Sequence, residues 1–317
     1  MSALLRALQE RVEQDPLPAA HTSSHWQLHG RHTVVEFAED DVRLQASGFE
    51  TVAHPRLGGR LLHAAEWWSY RGVRRTLRSF PAAWRAVQGL LKTLGGGPDF
   101  YALKNACALA TLADHWTAYG LQPRVAAVIG DGAGFFGALL RRWQPRLRLS
   151  CIDLPKILVF QARTHEQADP AARLGLVGAP GWEEADVVFV PPQEAEGLPG
   201  PVDCAVNMAS MQEMTPESIA GYFRFLRRRS SPQARFYCIN REEKVLPGGE
   251  VARFIDYPWG RDDEVFLDGP CPYYTHFFAP YTLPRGPKVL GWRVPCVNSF
   301  DGGTRHRLVH LAPEAGA

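Results

Sequence analysis

The chain has 317 residues, of which 45% are hydrophobic and 21% charged, and its formal net charge is +2. This composition excludes a disordered chain, and so small a charge gives no electrostatic reason to expect nucleic-acid binding. No apolar run approaches the roughly 20 residues of a membrane span, so we expect no membrane partner either. The six cysteines show no CxxC spacing and three fall in predicted strands. They are typical of free thiols in a reducing cytoplasm, which predicts a cytoplasmic protein.

Residues 1–120 are predicted to be a mainly helical N-terminal region. The opening segment, MSALLRALQERVEQD, has the apolar spacing of an amphipathic helix and lacks the apolar core and cleavage pattern of a signal peptide. A short β-like patch, HTVVEF, follows, and YALKNACALATLADHWTAYG again places apolar residues at helical intervals. We interpret this region as an accessory cap or an oligomerisation element, which would make the protein a homo-oligomer.

Residues 121–317 are predicted to form one Rossmann-like domain. Strand-like runs alternate with helical stretches, a pattern that predicts an α/β fold with a parallel, doubly wound sheet covered on both faces. Near the end of the chain, the β-type runs KVLGWRVPCVNSF and RHRLVHLAP flank the turn residues DGG, which predicts an antiparallel hairpin. A parallel sheet that finishes in such a hairpin is typical of class I methyltransferases that use S-adenosylmethionine.

The most informative motif of the chain is VAAVIGDGAGFFG, residues 125–137. An apolar run breaks into Gly130, Gly132 and Gly134 and then resumes at helical spacing, which indicates a strand, a tight loop and a helix start. Glycine permits positive φ and lets a ligand approach the backbone, and the free N–H groups of the helix would face that ligand. Asp153 ends the next strand, where a carboxylate can accept hydrogen bonds from both hydroxyls of a ribose. Together these features predict an adenosine-containing cofactor.

The spacing of the glycines fits two cofactor classes. Counted from Gly132, GAGFFG is the GxGxxG of dinucleotide-binding folds, so an NAD(P)-dependent oxidoreductase is the alternative function. Counted from Gly130, GDGAG is the GxGxG of methyltransferases, which the long helical region before it and the terminal hairpin favour. Val128 stands where many class I methyltransferases carry an acid, which also leaves open a non-catalytic protein that retains the fold. We hypothesise that Asp131 replaces that acid and contacts the methionine ammonium group.

A second motif, DCAVNMASMQEM, covers residues 203–214. Together with VIGDGAGFFG, CIDLP and CINREEK it resembles the sugar O-methyltransferase family, in which the fourth strand runs into N-x-x-S-x-Q-E-M. The resemblance covers about residues 95–310. It implies a class I, S-adenosylmethionine-dependent O-methyltransferase that transfers a methyl group to a hydroxyl of a sugar or a glycosylated small molecule.

The chemistry of methyl transfer to a hydroxyl requires a base, because an alcohol is a poor nucleophile. Glu213 and His276 are the candidate bases, and Gln212 would hydrogen-bond a neighbouring hydroxyl. Alternatively, Gln212 and Glu213 cap the following helix, whose predicted N-cap is Thr215, and His276 is a packed side chain.

The remaining candidate residues follow from their places at the strand ends. We expect the cofactor to contact Gly130, Asp131, Gly132, Gly134, Asp153, Leu154, Pro191, Asn207 and Ala209. We expect the acceptor to contact Asn240, Arg241, Tyr274 and Tyr101. The aromatic-rich segment 257–281 either binds a sugar ring or closes the core. No spacing of potential ligands indicates a metal site, so no metal is predicted.

Overall fold

The computed structural model describes residues 2–18, 21–39, 41–47, 49, 63–64, 66–198, 200–274, 276–278, 288–293, 297–299 and 303–313. The chain divides into two compact units. The first comprises Met1–Thr51, Pro123–Asp268 and His306–Ala317, and the second comprises Val52–Gln122 and Gly269–Arg305. The division predicted at residue 120 rests on the pattern along the chain and stays a prediction.

The helices in the described part of the chain are α1 (Ala3–Gln14), α2 (Ser24–His32), α3 (Arg71–Thr76), α4 (Phe80–Thr93), α5 (Phe100–Tyr119), α6 (Phe135–Trp143), α7 (Pro155–Ala168) and α8 (Pro216–Arg229). The strands up to the middle of the fold are β1 (Val34–Phe37), β2 (Val42–Gln45), β3 (Val125–Ile129), β4 (Arg148–Ile152), β5 (Leu174–Leu176), β6 (Val187–Val190), β7 (Val202–Met208) and β8 (Ser230–Arg241). The later strands are β9 (Glu243–Val245), β10 (Val251–Arg253), β11 (Glu264–Pro270), β12 (His276–Phe278), β13 (Lys288–Val289), β14 (Trp292–Arg293), β15 (Val297–Ser299) and β16 (Thr304–His310).

The first unit contains an eight-stranded sheet with the order β11-β16-β8-β7-β3-β4-β6-β5. The pairs that β3, β4, β5, β6, β7 and β8 make with one another are all parallel. Strand β6 is buried along its whole length, as expected for a parallel sheet covered on both faces. The chain starts in the middle at β3, moves to one side through β4, the edge strand β5 and then β6, and crosses to β7 on the other side of β3. This confirms the doubly wound α/β fold class.

The doubly wound order also places the carboxyl ends of β3, β4 and β7 together. In open sheets of this kind, ligands bind outside the carboxyl ends where the strand order reverses. That edge is therefore where a functional site is expected in the first unit.

The end of the sheet differs in detail from the sequence expectation. Strand β16 lies between β8 and β11, so its outer neighbour comes from residues 264–270. The predicted partner segment contains β13 and β14, which pair with each other, and β15, which pairs with β12. Part of the predicted turn, residues 301–302, lies outside the described residues. The prediction took the nearest β-type run as the partner, whereas β16 pairs with a strand that precedes a long intervening segment.

The second unit is built around α5. Asp99 caps its start by accepting a hydrogen bond from the Ala102 N–H at 2.8 Å, and Gly120 ends it in the left-handed conformation at a φ of 63°. Helix α4 packs beside it and buries Val87 and Leu90 completely.

No helix in the described part of the chain combines the length and the apolarity that crossing a membrane requires.

Candidate functional site

The glycine loop lies at the carboxyl end of β3. Gly130, Gly132 and Gly134 have φ angles of 70°, 55° and 85°, so all three adopt the left-handed conformation that side chains disfavour. Gly134 is the N-cap of α6. The predicted strand, tight loop and helix start are therefore present at these positions.

The space beside each glycine is filled by another part of the first unit. A Cβ on Gly130 would lie 2.0 Å from Ser210 Oγ, and one on Gly134 would lie 2.9 Å from Gln161 Cα. A Cβ on Gly132 would lie 3.3 Å from Phe49, a half-buried side chain of the N-terminal segment. Close packing therefore requires glycine at positions 130 and 134, whereas the neighbour of Gly132 is a half-buried side chain that belongs to no strand or helix of the described structure.

Asp131 caps the helix that follows the loop. Its two carboxylate oxygens accept hydrogen bonds from the N–H groups of Phe136 at 3.1 Å and Gly137 at 2.7 Å. Burial raises the pKa of Asp131 to about 7, although these hydrogen bonds act in the opposite direction. These two N–H groups of α6 are thus used within the protein, contrary to the expectation that they are free. The predicted contact between Asp131 and an ammonium group stays a prediction.

Asp153 links the end of β4 to α7. Its carboxylate accepts hydrogen bonds from the Leu154 N–H at 2.9 Å and from Gln161 Nε2 at 2.8 Å. The glycine loop joins β4 through the Gly130 N–H, which donates to the carbonyl oxygen of Ile152 at 2.9 Å. Burial raises the pKa of Asp153 to about 8, and the nearby Asp131 also raises it, whereas the hydrogen bonds lower it. Nothing in the sequence pattern indicates Gln161, whose Oε1 is buried without a hydrogen-bond partner in the described structure. Because a carboxylic acid can donate to that oxygen after the amide turns over, Gln161 suits both protonation states of Asp153.

Asn207 connects the end of β7 to the glycine loop. Its Nδ2 donates to the carbonyl oxygen of Ile129 at 2.8 Å and to Ser210 Oγ at 2.5 Å. Its Oδ1 accepts from the Met211 N–H at 3.3 Å and from Asn240 Nδ2 at 2.7 Å. Both asparagines are completely buried. Asn207 therefore fixes the distance between β3 and β7 at the edge where the sheet order reverses.

The same network extends to β8 through Gln212. The Gln212 N–H donates to Asn240 Oδ1 at 3.1 Å, and Gln212 Oε1 accepts from the Arg241 N–H at 2.7 Å. Ala209, between the two parts of the motif, has a φ of 57°. These bonds give the N-x-x-S-x-Q residues a structural role, and the substrate and catalytic roles proposed for Gln212, Asn240 and Arg241 stay predictions.

Glu213 is the centre of a compact charge cluster. Its Oε1 lies 2.5 Å from Lys244 Nζ and its Oε2 lies 3.3 Å from His25 Nε2. Burial would raise the pKa of Glu213, but His25 and Lys244 outweigh it and hold the pKa below its usual value. Thr215 caps α8 by accepting from the Ser218 N–H at 3.2 Å, as the sequence predicts. The Glu213 carboxylate is therefore used by two basic side chains, and the helix cap is provided by Thr215.

The N-terminal segment contributes to this edge of the sheet, which the sequence did not indicate. Ser23 Oγ donates to the carbonyl oxygen of Glu213, and Lys156 Nζ donates to the carbonyl oxygen of Gly30 at 3.0 Å. Leu154, the residue after Asp153, belongs to an apolar cluster with Leu17, Trp26, Phe49 and Ile157. Residues 17–49 thus supply both an apolar wall and a basic side chain, His25, near the carboxyl ends of the strands.

The other predicted residues occupy different places. Pro191 is buried at the end of β6 and is the N-cap of the short 3-10 helix Pro192–Gly197. Tyr101 and Tyr274 belong to the second unit, where Lys104 Nζ lies 4.4 Å from the centre of one ring and 4.6 Å from the other. The backbone of His276 lies in β12, and its side chain is outside the described structure.

The described residues contain no group of three or more histidine, cysteine, aspartate or glutamate side chains placed to hold a metal ion. The expectation that the protein needs no metal stays a prediction.

No family model matches the chain, and no curated protein matches it in sequence. Solved structures with a similar fold include TehB from Haemophilus influenzae, with 12% identity and a TM-score of 0.40 over 64% of this chain and 62% of that chain. A precorrin-6y C5,15-methyltransferase from Geobacter metallireducens GS-15 has 11% identity and a TM-score of 0.37 over 63% of this chain and 86% of that one. The SAH-bound methyltransferase PaMTH1 from Podospora anserina has 14% identity and a TM-score of 0.35 over 60% of this chain and 73% of that one.

Proposed function

We propose that this protein is an S-adenosylmethionine-dependent O-methyltransferase that transfers a methyl group to a hydroxyl of a sugar or a glycosylated small molecule. The observation that carries the proposal is the hydrogen bond from the Gly130 N–H to the carbonyl oxygen of Ile152 at 2.9 Å, one residue before Asp153. It joins the glycine loop and the acid of the adjacent strand into one structure at the edge of the sheet where ligands bind. A nucleoside needs both features together.

The residues present fit the nucleoside part of S-adenosylmethionine. The Asp153 carboxylate can accept from ribose hydroxyls, and Leu154 and Phe49 offer apolar faces close to it. Phe49 is half-buried and its side chain lies beside Gly132, so a ligand could displace Phe49 without moving a strand. The bound cofactor would supply a methyl group on a positively charged sulfur, an electrophile that an alcohol oxygen can attack. We place Gly130, Gly132, Gly134, Asp153 and Asn207 around it.

The acceptor side of the proposal depends on the Asn207 to Met214 motif and its resemblance to sugar O-methyltransferases. Glu213 remains ionised near neutral pH because Lys244 and His25 lower its pKa, and such a carboxylate is a weak proton acceptor. Within this proposal Glu213 orients the groups around it, and His276 remains the base that the sequence predicts. Near-attack alignment of the hydroxyl would then supply a large part of the acceleration.

The cysteines support the proposed cytoplasmic location. Five are buried free thiols in the described structure, namely Cys107, Cys151, Cys204, Cys238 and Cys271. Burial raises the pKa of Cys204 and Cys238 to about 12, so both stay protonated and inert. We also propose that the protein works without a nucleic-acid or membrane partner and forms a homo-oligomer through its N-terminal region.

Thermal unfolding with three additions tests the proposed function. S-adenosylhomocysteine at 100 times its dissociation constant should stabilise the protein by about 2.7 kcal/mol, which corresponds to a shift of several degrees. NAD(H) should give no shift, and adenosine alone should give a smaller one than S-adenosylhomocysteine. Stabilisation by NAD(H) alone would instead support the oxidoreductase alternative, and no shift with either compound would contradict cofactor binding.

A further inference from the structure

A groove of about 420 Å³ lies in the first unit between the start of α8 and the β9–β10 hairpin. Its size is within the range of small-molecule sites. The side chains that form its apolar surface are Met214, Ile219, Ala220, Leu246, Val251 and Tyr257. None of the residues predicted from the sequence to contact the acceptor lines it.

Met214 connects this groove to the glycine loop. Its Cε lies 3.4 Å from the position that a Cβ on Gly130 would occupy, and its side chain also lines the groove. The groove therefore ends at a flexible thioether chain that contacts the first glycine. Since methionine changes conformation easily, a molecule in the groove can approach the glycine loop as far as Ser210, whose side chain fills the space beside Gly130.

Tyr257 contributes an aromatic ring to the apolar surface of the groove. Its side chain is 5% exposed, and its hydroxyl is buried without a hydrogen-bond partner in the described part of the chain. Burial raises the pKa of Tyr257 well above its usual value, so the phenol stays neutral and can donate a hydrogen bond. Because the hydroxyl is closed to solvent, the aromatic ring of Tyr257 is the part that faces a ligand in the groove.

The charged residues of the groove are mostly acidic. Glu217, Glu250 and Asp256 line it together with a single basic residue, Arg253. Arg253 is already engaged by Glu243 at 2.7 Å and lies 4.0 Å from Asp256. The groove therefore presents a net negative field, which disfavours anionic ligands and accepts neutral or cationic ones.

We propose that this groove is the acceptor subsite and that it holds the apolar aglycone of an uncharged or cationic glycoside. The link between this groove and methyl transfer rests on the proposed function. The groove's apolar surface would cover the aglycone, and the path past Met214 would bring a sugar hydroxyl toward Gly130. Glycosides with a carboxylate would be excluded by the acidic rim.

Calorimetric titration with three para-nitrophenyl glycosides, in the absence of any methyl donor, tests the proposal. We expect the neutral glucoside and the cationic glucosaminide to bind at least about tenfold more tightly than the anionic glucuronide, because the charge of the rim discriminates among them. Ala220→Trp fills the groove from α8 and should weaken glucoside binding by at least about tenfold. Arg224→Trp puts the same side chain at an exposed position of the same helix outside the groove and should leave binding unchanged. Should Ala220→Trp not fold, Val251→Trp on the opposite wall serves the same purpose.

Two results would overturn the groove as acceptor subsite. One is the absence of glycoside binding at millimolar concentration, and the other is an unchanged affinity in a folded groove-filling variant. Because these titrations contain no donor, they are independent of S-adenosylhomocysteine binding. Glycoside binding without S-adenosylhomocysteine binding would keep the groove as a glycoside site and reject the methyltransferase, whereas the reverse result would keep the methyltransferase and reject the groove.

Discussion

Gly130→Ala should lower the free energy of unfolding by about 3 to 4 kcal/mol, the sum of a left-handed backbone penalty and an overpacking penalty. The new Cβ would lie 2.0 Å from Ser210 Oγ and 2.5 Å from Ser210 Cβ. Ser210 cannot move freely, since its hydroxyl bonds to Asn207 and to the carbonyl oxygen of Ile129. Denaturant unfolding monitored by circular dichroism measures the change.

Gly95→Ala is the matched control for this prediction. Gly95 has a φ of 71°, against 70° for Gly130, but nothing lies within 4 Å of the position of its Cβ. It should therefore show the backbone penalty alone, about 1 to 2 kcal/mol. Adding Ser210→Gly to Gly130→Ala should restore part of the lost stability. Equal losses in the two single variants would show that Ser210 does not occupy the space beside Gly130.

Asp153→Asn should weaken S-adenosylhomocysteine binding about 10- to 100-fold, because hydrogen bonds to a charged acceptor contribute about 1.5 to 3 kcal/mol. The wild-type affinity should also depend on pH. Burial raises the pKa of Asp153 to about 8, and ribose hydroxyls favour its ionised form. Affinity should therefore rise as pH approaches 8, by up to about tenfold per pH unit, and level off above it. In Asp153→Asn this dependence should be absent, and calorimetry across pH measures both effects.

The ligand-free protein provides a second measure of the same titration. A carboxyl group with a raised pKa binds its proton more tightly in the folded state than in the unfolded chain, whose value is near 3.8. The stability associated with neutral Asp153 is thus complete below about pH 4 and is lost as pH rises through about 8. Asp153→Asn should flatten part of this slope, and Asp131, whose pKa is about 7, should maintain the rest.

Asp186→Asn is the control for loss of a carboxylate. Asp186 precedes β6 at the amino edge of the sheet, where it accepts from the Arg173 N–H at 2.9 Å. The Asp186→Asn variant should keep the wild-type affinity for S-adenosylhomocysteine and the pH dependence of that affinity. A wild-type affinity that does not vary between pH 6 and 8 would contradict an ionising Asp153 at the cofactor site.

The parts of the fold that were predicted correctly are those that local patterns encode. The run VAAVI followed by spaced glycines indicates a strand, a turn and a helix without information from elsewhere in the chain, and Thr215 before Pro216 is a local helix cap. The partner of β16 is a non-local choice. Strands β13, β14 and β15 lie in suitable β-type runs, yet β13 pairs with β14 and β15 pairs with β12, within the second unit.

The site residues that could not be predicted from the sequence depend on the same kind of non-local contact. Gln161 lies in an ordinary helical pattern, and only the fold brings its amide to Asp153. His25 and Phe49 come from the N-terminal segment, more than a hundred residues before Glu213 and roughly eighty before Gly132 in the chain, so no spacing rule connects them. Conversely, the polar side chains of Asn207 and Gln212 predict a site from the sequence, and their hydrogen bonds show that they also hold the strand ends together.

The most direct test of the account is a crystal structure of the protein with S-adenosylhomocysteine bound. We predict that the ribose hydroxyls lie within hydrogen-bond distance of the Asp153 carboxylate. The homocysteine part of the ligand should pass Gly130 and Gly132, and Phe49 should have moved off Gly132. A nucleoside found elsewhere, with Phe49 still against Gly132 and Asp153 still bonded only to protein groups, would contradict the central claim.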